Sequence, residues 1–266
     1  MIPNMVSAGL LLVVIVCLVM LGRRHRFLTH LDALEAALRK TERRENARAD
    51  LPPEVVALAE RLGARTVDIP AFIALRQAGE MWVAPGAKPK AFIAEQTIRV
   101  DTPGFLWRAQ MGSVVVADYY VERTGGLEVM LFGALRIAYM VGGAAANQGE
   151  ALRYLAELPW CPDAILANRL LDWTVIDAKT IKVATGSGAS RGEVTFELDD
   201  AGLVARASAP SRGYKAVNGR MTNHAWHCRL WDYQRVDDRL IPMQGEAAWA
   251  LNAGDFVYWR GRLLPA

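Results

Sequence analysis

Cysteine is scarce, with three in 266 residues: Cys17, Cys161 and Cys228. They show no CxxC spacing and no disulfide framework, so Cys161 and Cys228 read as reduced thiols. The short motifs of common catalytic centres are missing too: there is no Gly-x-Ser-x-Gly elbow, no HExxH and no Walker A sequence. The glycine-rich run 186–192 lacks the lysine and following helix of a phosphate loop and reads as a hairpin tip. Histidine is equally sparse, at four residues. His224, His227 and Cys228 bring metal-ligand types together. In a strand, however, positions 224, 226 and 228 share one face and His227 takes the other, which keeps the three from one ion. Neither a metal nor a cofactor is expected. A basic stripe is also absent: residues 1–50 hold eight Lys/Arg against five Asp/Glu, and the remaining residues hold 23 of each. The net charge of +3 therefore sits near the N-terminus, and the electrically balanced body excludes nucleic acid as its ligand.

Charge is missing altogether from Met5 to Leu21, a seventeen-residue apolar run. That is the lower end of a bilayer span, which Ile2 and Pro3 can lengthen. No basic residue precedes it and no small-residue cleavage site follows, so it reads as a retained transmembrane anchor rather than a signal peptide. Ile15 and Val16 before Cys17 do not make a lipobox. Arg23, Arg24 and Arg26 follow the run and imply a single-pass inner-membrane protein with its body in the cytoplasm; a periplasmic body is the alternative. Residues 23–65 then read as a helical stalk. Leu28, Leu31, Leu34 and Leu38 form a narrow stripe that could dock on the body, form a homo-oligomer with a second copy, or lie on headgroups beside Arg39, Lys40, Arg43 and Arg44. A solvated spacer is the plainer reading. Pro52 and Pro53 open a second helix, closed by Gly63.

From residue 66 to 266 the period changes from helical to alternating. Ala91–Val100 and Phe105–Met111 flank Asp101-Thr102-Pro103-Gly104 as a hairpin; Val114–Val121 turns through Gly125-Gly126 into Leu127–Gly133, and Leu135–Val141 follows. Trp173–Ala184, Gly192–Leu198, Leu203–Ala209, Met221–Val236 and Gly245–Leu264 continue the pattern, with turns about every ten residues. The run 142–149 reads as a loop leading into one helix, Glu150–Leu158, which carries Leu152, Leu155 and Ala156 on one face and is stopped by Pro159 and Pro162. The expected fold is α+β and mainly β: a strongly curved antiparallel sheet, a half-barrel, with this helix as its cap.

Several segments together resemble a family of uncharacterised bacterial proteins whose members often carry one N-terminal membrane segment: FIALRQAGEM at 72–81, FIAEQ at 92–96, PGFLW at 103–107, Asp118-Tyr119, RYLAE at 153–157 with Trp160 and Pro162, Trp173 and Asp177, and Trp249 with FVY at 256–258. The resemblance covers residues 52–264. More distantly, a meander with Phe-x-Trp beside a Pro-Gly turn and a helix over the sheet is similar to the LolA-like lipoprotein carriers. That likeness implies a lipid or acyl ligand.

All eight tryptophans lie between Trp82 and Trp259. An open curved sheet this aromatic either packs a core or leaves a concave apolar face. The leading expectation is a binding protein holding a membrane lipid or apolar small molecule, with Trp107, Tyr119, Trp160 and Trp173 as walls and Arg153 with Glu157 as polar anchors. The competing readings are an enzyme using Glu157 with Asp118 or Asp177 as acid/base residues, an interaction scaffold, and a structural Arg153–Glu157 ion pair.

Overall fold

A computed structural model describes residues 2–40, 47–216 and 219–265. Four α-helices are present among them: α1 (Ile2–Arg39), α2 (Pro53–Arg61), α3 (Ala144–Ala156) and α4 (Asp163–Ala167). The strands of the first half are β1 (Phe72–Met81), β2 (Lys90–Arg99), β3 (Phe105–Met111), β4 (Val114–Val121), β5 (Thr124–Leu131) and β6 (Leu135–Val141). Those of the second half are β7 (Asp172–Asp177), β8 (Thr180–Thr185), β9 (Gly192–Leu198), β10 (Val204–Lys215), β11 (Met221–Val236), β12 (Arg239–Leu251) and β13 (Gly254–Leu263).

All thirteen form one antiparallel sheet in the order β6-β5-β4-β3-β2-β1-β13-β12-β11-β10-β9-β8-β7. Every neighbour is a sequential hairpin partner except at the centre, where β1 pairs β13 with Gln77 opposite Leu263. The edges, β6 and β7, are joined by the segment containing α3 and α4, which crosses the inside of the curl. Helix α3 touches β4 and β5 on one side and β8, β9 and β10 on the other. The molecule is thus a curled half-barrel with a helix in its hollow.

Strand parity divides the side chains. Phe105, Trp107 and Ala109 on β3 point inward to the main core with Leu152, Leu155 and Ala156 of α3. Leu106 points outward and, with Ala117, Tyr119, Val121 and Met130, receives Phe27, Leu31 and Leu38 of α1. The segment expected as a stalk is therefore laid on the convex face, because its apolar stripe finds a matching outward patch. Helix α2 also docks: Val55, Leu58 and Ala59 are buried, and Leu62 accepts a hydrogen bond from Leu240. Among the described residues no helix is long and apolar enough to cross a membrane. The span expected over Met5–Leu21 begins among residues whose side chains lie outside the described set, and part of the segment around Arg43 and Arg44 does too.

Two sequence expectations are corrected here. Helix α3 starts at Ala144, not Glu150, since Ala144, Ala145 and Ala146 are strong helix formers despite the preceding Gly142-Gly143. The β4–β5 turn lies at Glu122-Arg123, both at positive φ, rather than at Gly125-Gly126. Those glycines serve close approach instead. A Cβ on Gly125 would lie 2.7 Å from the Ala146 carbonyl oxygen of α3, and one on Gly126 would enter the Tyr119 ring. Gly125→Val is accordingly expected to lose about 1–3 kcal/mol in urea unfolding, because a helix backbone cannot step aside. Wild-type stability in that variant would show that α3 does not rest against β5.

A polar-floored candidate binding cavity

Between α3 and the inner face of the sheet lies a cavity of about 700 Å³. Its walls include Trp107, Trp160, Trp226, Trp249, Trp259 and Phe256, and Val83, Tyr139, Met140 and Met221 stand exposed at its rim. The aromatic walls brace one another: Trp249 lies 4.1 Å from Tyr258 and Trp160 6.1 Å from Trp259 between ring centroids. A second hollow, about 630 Å³, lies on the convex side beside α1. There Glu35 already pairs with Arg39 and Arg108 and accepts from Thr97 at 2.5 Å, so its polar groups fasten α1 to the sheet.

The cavity floor is ionic. Arg153 on α3 donates from Nε to Glu157, one turn on, at 2.8 Å, and from Nη1 to Asp118 of β4. From Glu157 a buried chain continues: Gln96 donates to it at 2.5 Å, Gln77 donates to Gln96 at 2.8 Å, and the Trp107 indole donates to Gln77 at 2.8 Å. The guanidinium also stands 4.8 Å from the Phe105 ring and 5.1 Å from Trp107. Burial alone would lower its pKa, but Glu157, Asp118 and Glu150 more than offset that and hold it up. Arg153 is therefore a permanently charged clamp between sheet and helix.

Arg212 of β10 supplies the second cation, just past an irregularity in its pairing with β11. It lies 4.5 Å from the Trp226 ring. Its contacts with oxygen are long: 3.4 Å to the Tyr258 hydroxyl and 3.9 Å to Glu150. Glu150 itself is buried, and burial first, then the Asp118 charge, raise its carboxyl well above the usual range against the pull of Arg212 and Arg153. Glu150 Oε2 and Asp118 Oδ1 are both buried without a partner. A proton on Glu150 lets one donate to the other and satisfies both atoms. Because the folded-state pKa is raised, this carboxyl contributes fully below its unfolded value, and the contribution is lost as pH rises through the raised one. Glu150→Gln keeps a neutral donor toward Asp118. Its melting temperature should match wild type at about pH 5 and exceed it increasingly toward about pH 9. A constant gap across that range would place the charge on Glu150 throughout.

Of the residues singled out from sequence, Trp107, Arg153, Glu157 and Trp160 come together on this cavity. Tyr119 does not: it faces the convex side, bonds Glu128 at 3.3 Å and lies edge-on to His30. The cause is parity, since its neighbour Asp118 takes the inward position. Trp173 sits on the edge strand β7 against Phe196, away from the cavity, because the chain crosses to the far edge before it. Asp177 is exposed and caps the turn at Lys179 at 2.8 Å. Asp118 and Glu157 are both engaged by Arg153 rather than opposed across a gap. His227 faces away from the cavity toward Asp255, at 3.2 Å. Among the described residues no group of three or more His, Cys, Asp and Glu is placed to hold a metal. Burial pushes the thiol of Cys161 up and that of Cys228 to about 12, so neither is a ready thiolate. Arg212 and Glu150 were not singled out as anchors, and the Pro-Ser-Arg-Gly context of Arg212 marks no strand.

The curled sheet and its half-open, aromatic hollow define a half-barrel with an internal binding-sized cavity. The chain belongs to a family of unknown function (DUF6544), whose model matches residues 41–261. No curated protein matches it. Two solved structures are similar over most of its length. One is a LolA superfamily protein from Nitrosomonas europaea, at 13% identity and a TM-score of 0.39, covering 79% of this chain and 91% of that one. The other is an outer membrane lipoprotein-sorting protein domain, described as putative, from Vibrio parahaemolyticus, at 7% identity and a TM-score of 0.43, covering 80% and 89%.

Proposed function

We propose that this chain is a membrane-anchored binding protein that holds a lipid or another apolar small molecule inside the half-barrel. The observation that carries this is the aromatic cavity of about 700 Å³ with its exposed apolar rim. Its volume falls within the range of about 300–1,000 Å³ common to small-molecule sites, and its lining is mainly apolar with a few convergent polar groups. Trp107 and Trp160 serve as walls, while Arg153 and Glu157 fix the floor.

The anchor in this reading is the N-terminal part of α1. Leu10, Leu11, Leu12, Val13, Val14, Ile15, Val16, Leu18, Val19 and Leu21 stand 45–67% exposed there. Arg23, Arg24 and Arg26 follow at once, which favours the inner membrane with the body on the cytoplasmic side. The stripe that would pair two copies through the stalk is taken up by the sheet, so the proposal needs no oligomer.

The test is native mass spectrometry of the full-length chain released from detergent micelles, before and after extraction with organic solvent. A bound mass of several hundred daltons that extraction removes is expected. Bare protein at every stage would overturn the reading.

A further inference from the structure

We propose that the occupant of the cavity is an amphiphile with an anionic, oxygen-bearing head, and that this head seats on Arg212. The inference rests on the binding role proposed above and adds the chemistry of the ligand's polar end. It follows from a count of donors and acceptors around one buried cation.

Arg212 is 8% exposed, so its guanidinium has left bulk water. Such a group needs close acceptors to offset its lost hydration. Arg153, on the same floor, has them from two carboxylates. Among the described residues Arg212 has only the 3.4 Å contact to Tyr258 and stands 3.9 Å from Glu150. The Tyr258 hydroxyl also accepts from the Trp226 indole at 3.1 Å, so its oxygen is shared. Around the cavity the imbalance is the same. The two unpaired carboxyl oxygens, of Glu150 and Asp118, need no outside donor once Glu150 carries a proton that it donates to Asp118. The buried indole N–H groups of Trp249 and Trp259, both residues of the cavity wall, have no acceptor.

What remains unmet is therefore donors. The titratable groups around Arg212 are Glu150 and Arg153 from α3, Asp118 from β4, Cys228 from β11 and Tyr258 from β13. Arg153 is gripped at close range by Asp118 and Glu157, whereas the oxygen contacts of Arg212 are long, so of the floor's two arginines it is Arg212 whose N–H fork is left to a ligand. A carboxylate or phosphate accepts two parallel N–H bonds from a guanidinium fork, which a hydroxyl or an ester cannot reproduce. The Trp226 ring on one side of the guanidinium and the aromatic walls beyond it suit an apolar tail on that head.

The test uses the full-length chain in detergent micelles with three probes of one chain length: hexadecanoic acid, hexadecyl phosphate and methyl hexadecanoate. Each is added at the same concentration at about pH 8, where the acid is ionised, and bound masses are read by native mass spectrometry. The expected result is at least about tenfold tighter binding of one or both anions than of the ester, as a hydrogen bond to a charged group contributes. The member of the pair that wins identifies the head as carboxylate or phosphate. Arg212→Gln should abolish the preference, so that this variant binds both anions no more tightly than it binds the ester. Arg212→Lys, which keeps the charge and loses the fork, should fall between. Equal binding of acid, phosphate and ester by wild type overturns the headgroup site while leaving the apolar cavity standing. An anion preference that survives in Arg212→Gln likewise overturns it. Binding of none of the three overturns the cavity reading itself. Should Arg212→Gln fail to fold, the ratio of anion to ester in wild type decides.

Discussion

Arg153→Met is expected to lose about 3–5 kcal/mol of stability, enough to unfold a chain of ordinary margin. The effect is large because one guanidinium serves two carboxylates, Glu157 on its own helix and Asp118 on β4. Removing it strands both in a half-closed apolar interior, where charge without a partner is costly. A structural ion pair alone would predict the same loss, so the informative variant is compound. Adding Glu157→Gln and Asp118→Asn to Arg153→Met removes the stranded charges, and thermal unfolding should return at least half of the lost stability. If the triple variant were no better than the single one, packing of the arginine stem, and not its charge, would be what holds α3 in place.

Trp107→Ala is expected to cost a similar amount, about 3–5 kcal/mol. Trp107 is 1% exposed, edge-on to Phe92 at 5.4 Å, and begins the hydrogen-bonded chain that runs through Gln77 and Gln96 to Glu157. Phenylalanine separates the two contributions. Trp107→Phe preserves much of the volume but leaves the Gln77 carbonyl oxygen without its donor, and should cost about 1–3 kcal/mol in urea unfolding. An identical loss in both variants would assign everything to the hydrogen bond; no loss in the phenylalanine variant would make the network incidental.

Much of this arrangement was legible in the chain, and the rest failed for identifiable reasons. Alternating runs either side of Pro103-Gly104 mark the β2–β3 hairpin correctly, because that turn needs residues with special backbone freedom. Gly125-Gly126 carried the same signal for another cause, namely the room they leave for α3 and Tyr119. Leu152, Leu155 and Ala156 marked the buried face of α3 by spacing alone. Tyr119 was placed on the wrong side of its strand, although Trp107 pairs directly with Asp118 in the ladder, so Asp118 and Tyr119 cannot both look inward. Arg212 had no local signal at all. Its partners come from α3 and β13, and no pattern within a few residues of Pro210-Ser211 points to them.

The seam between β1 and β13 sets the order of assembly. The strand made first in the sheet waits for the strand made last, and Gln77 cannot meet Leu263 until synthesis of the body is nearly complete. During translation the β1–β6 meander emerges with the β1 flank unpaired, its backbone amides and carbonyls bare to any extended chain nearby. Contacts this distant in sequence also slow the final closure. The nascent chain is therefore most prone to aggregation in the interval before its last strand leaves the ribosome, and truncation there leaves the centre of the sheet, not its margin, open.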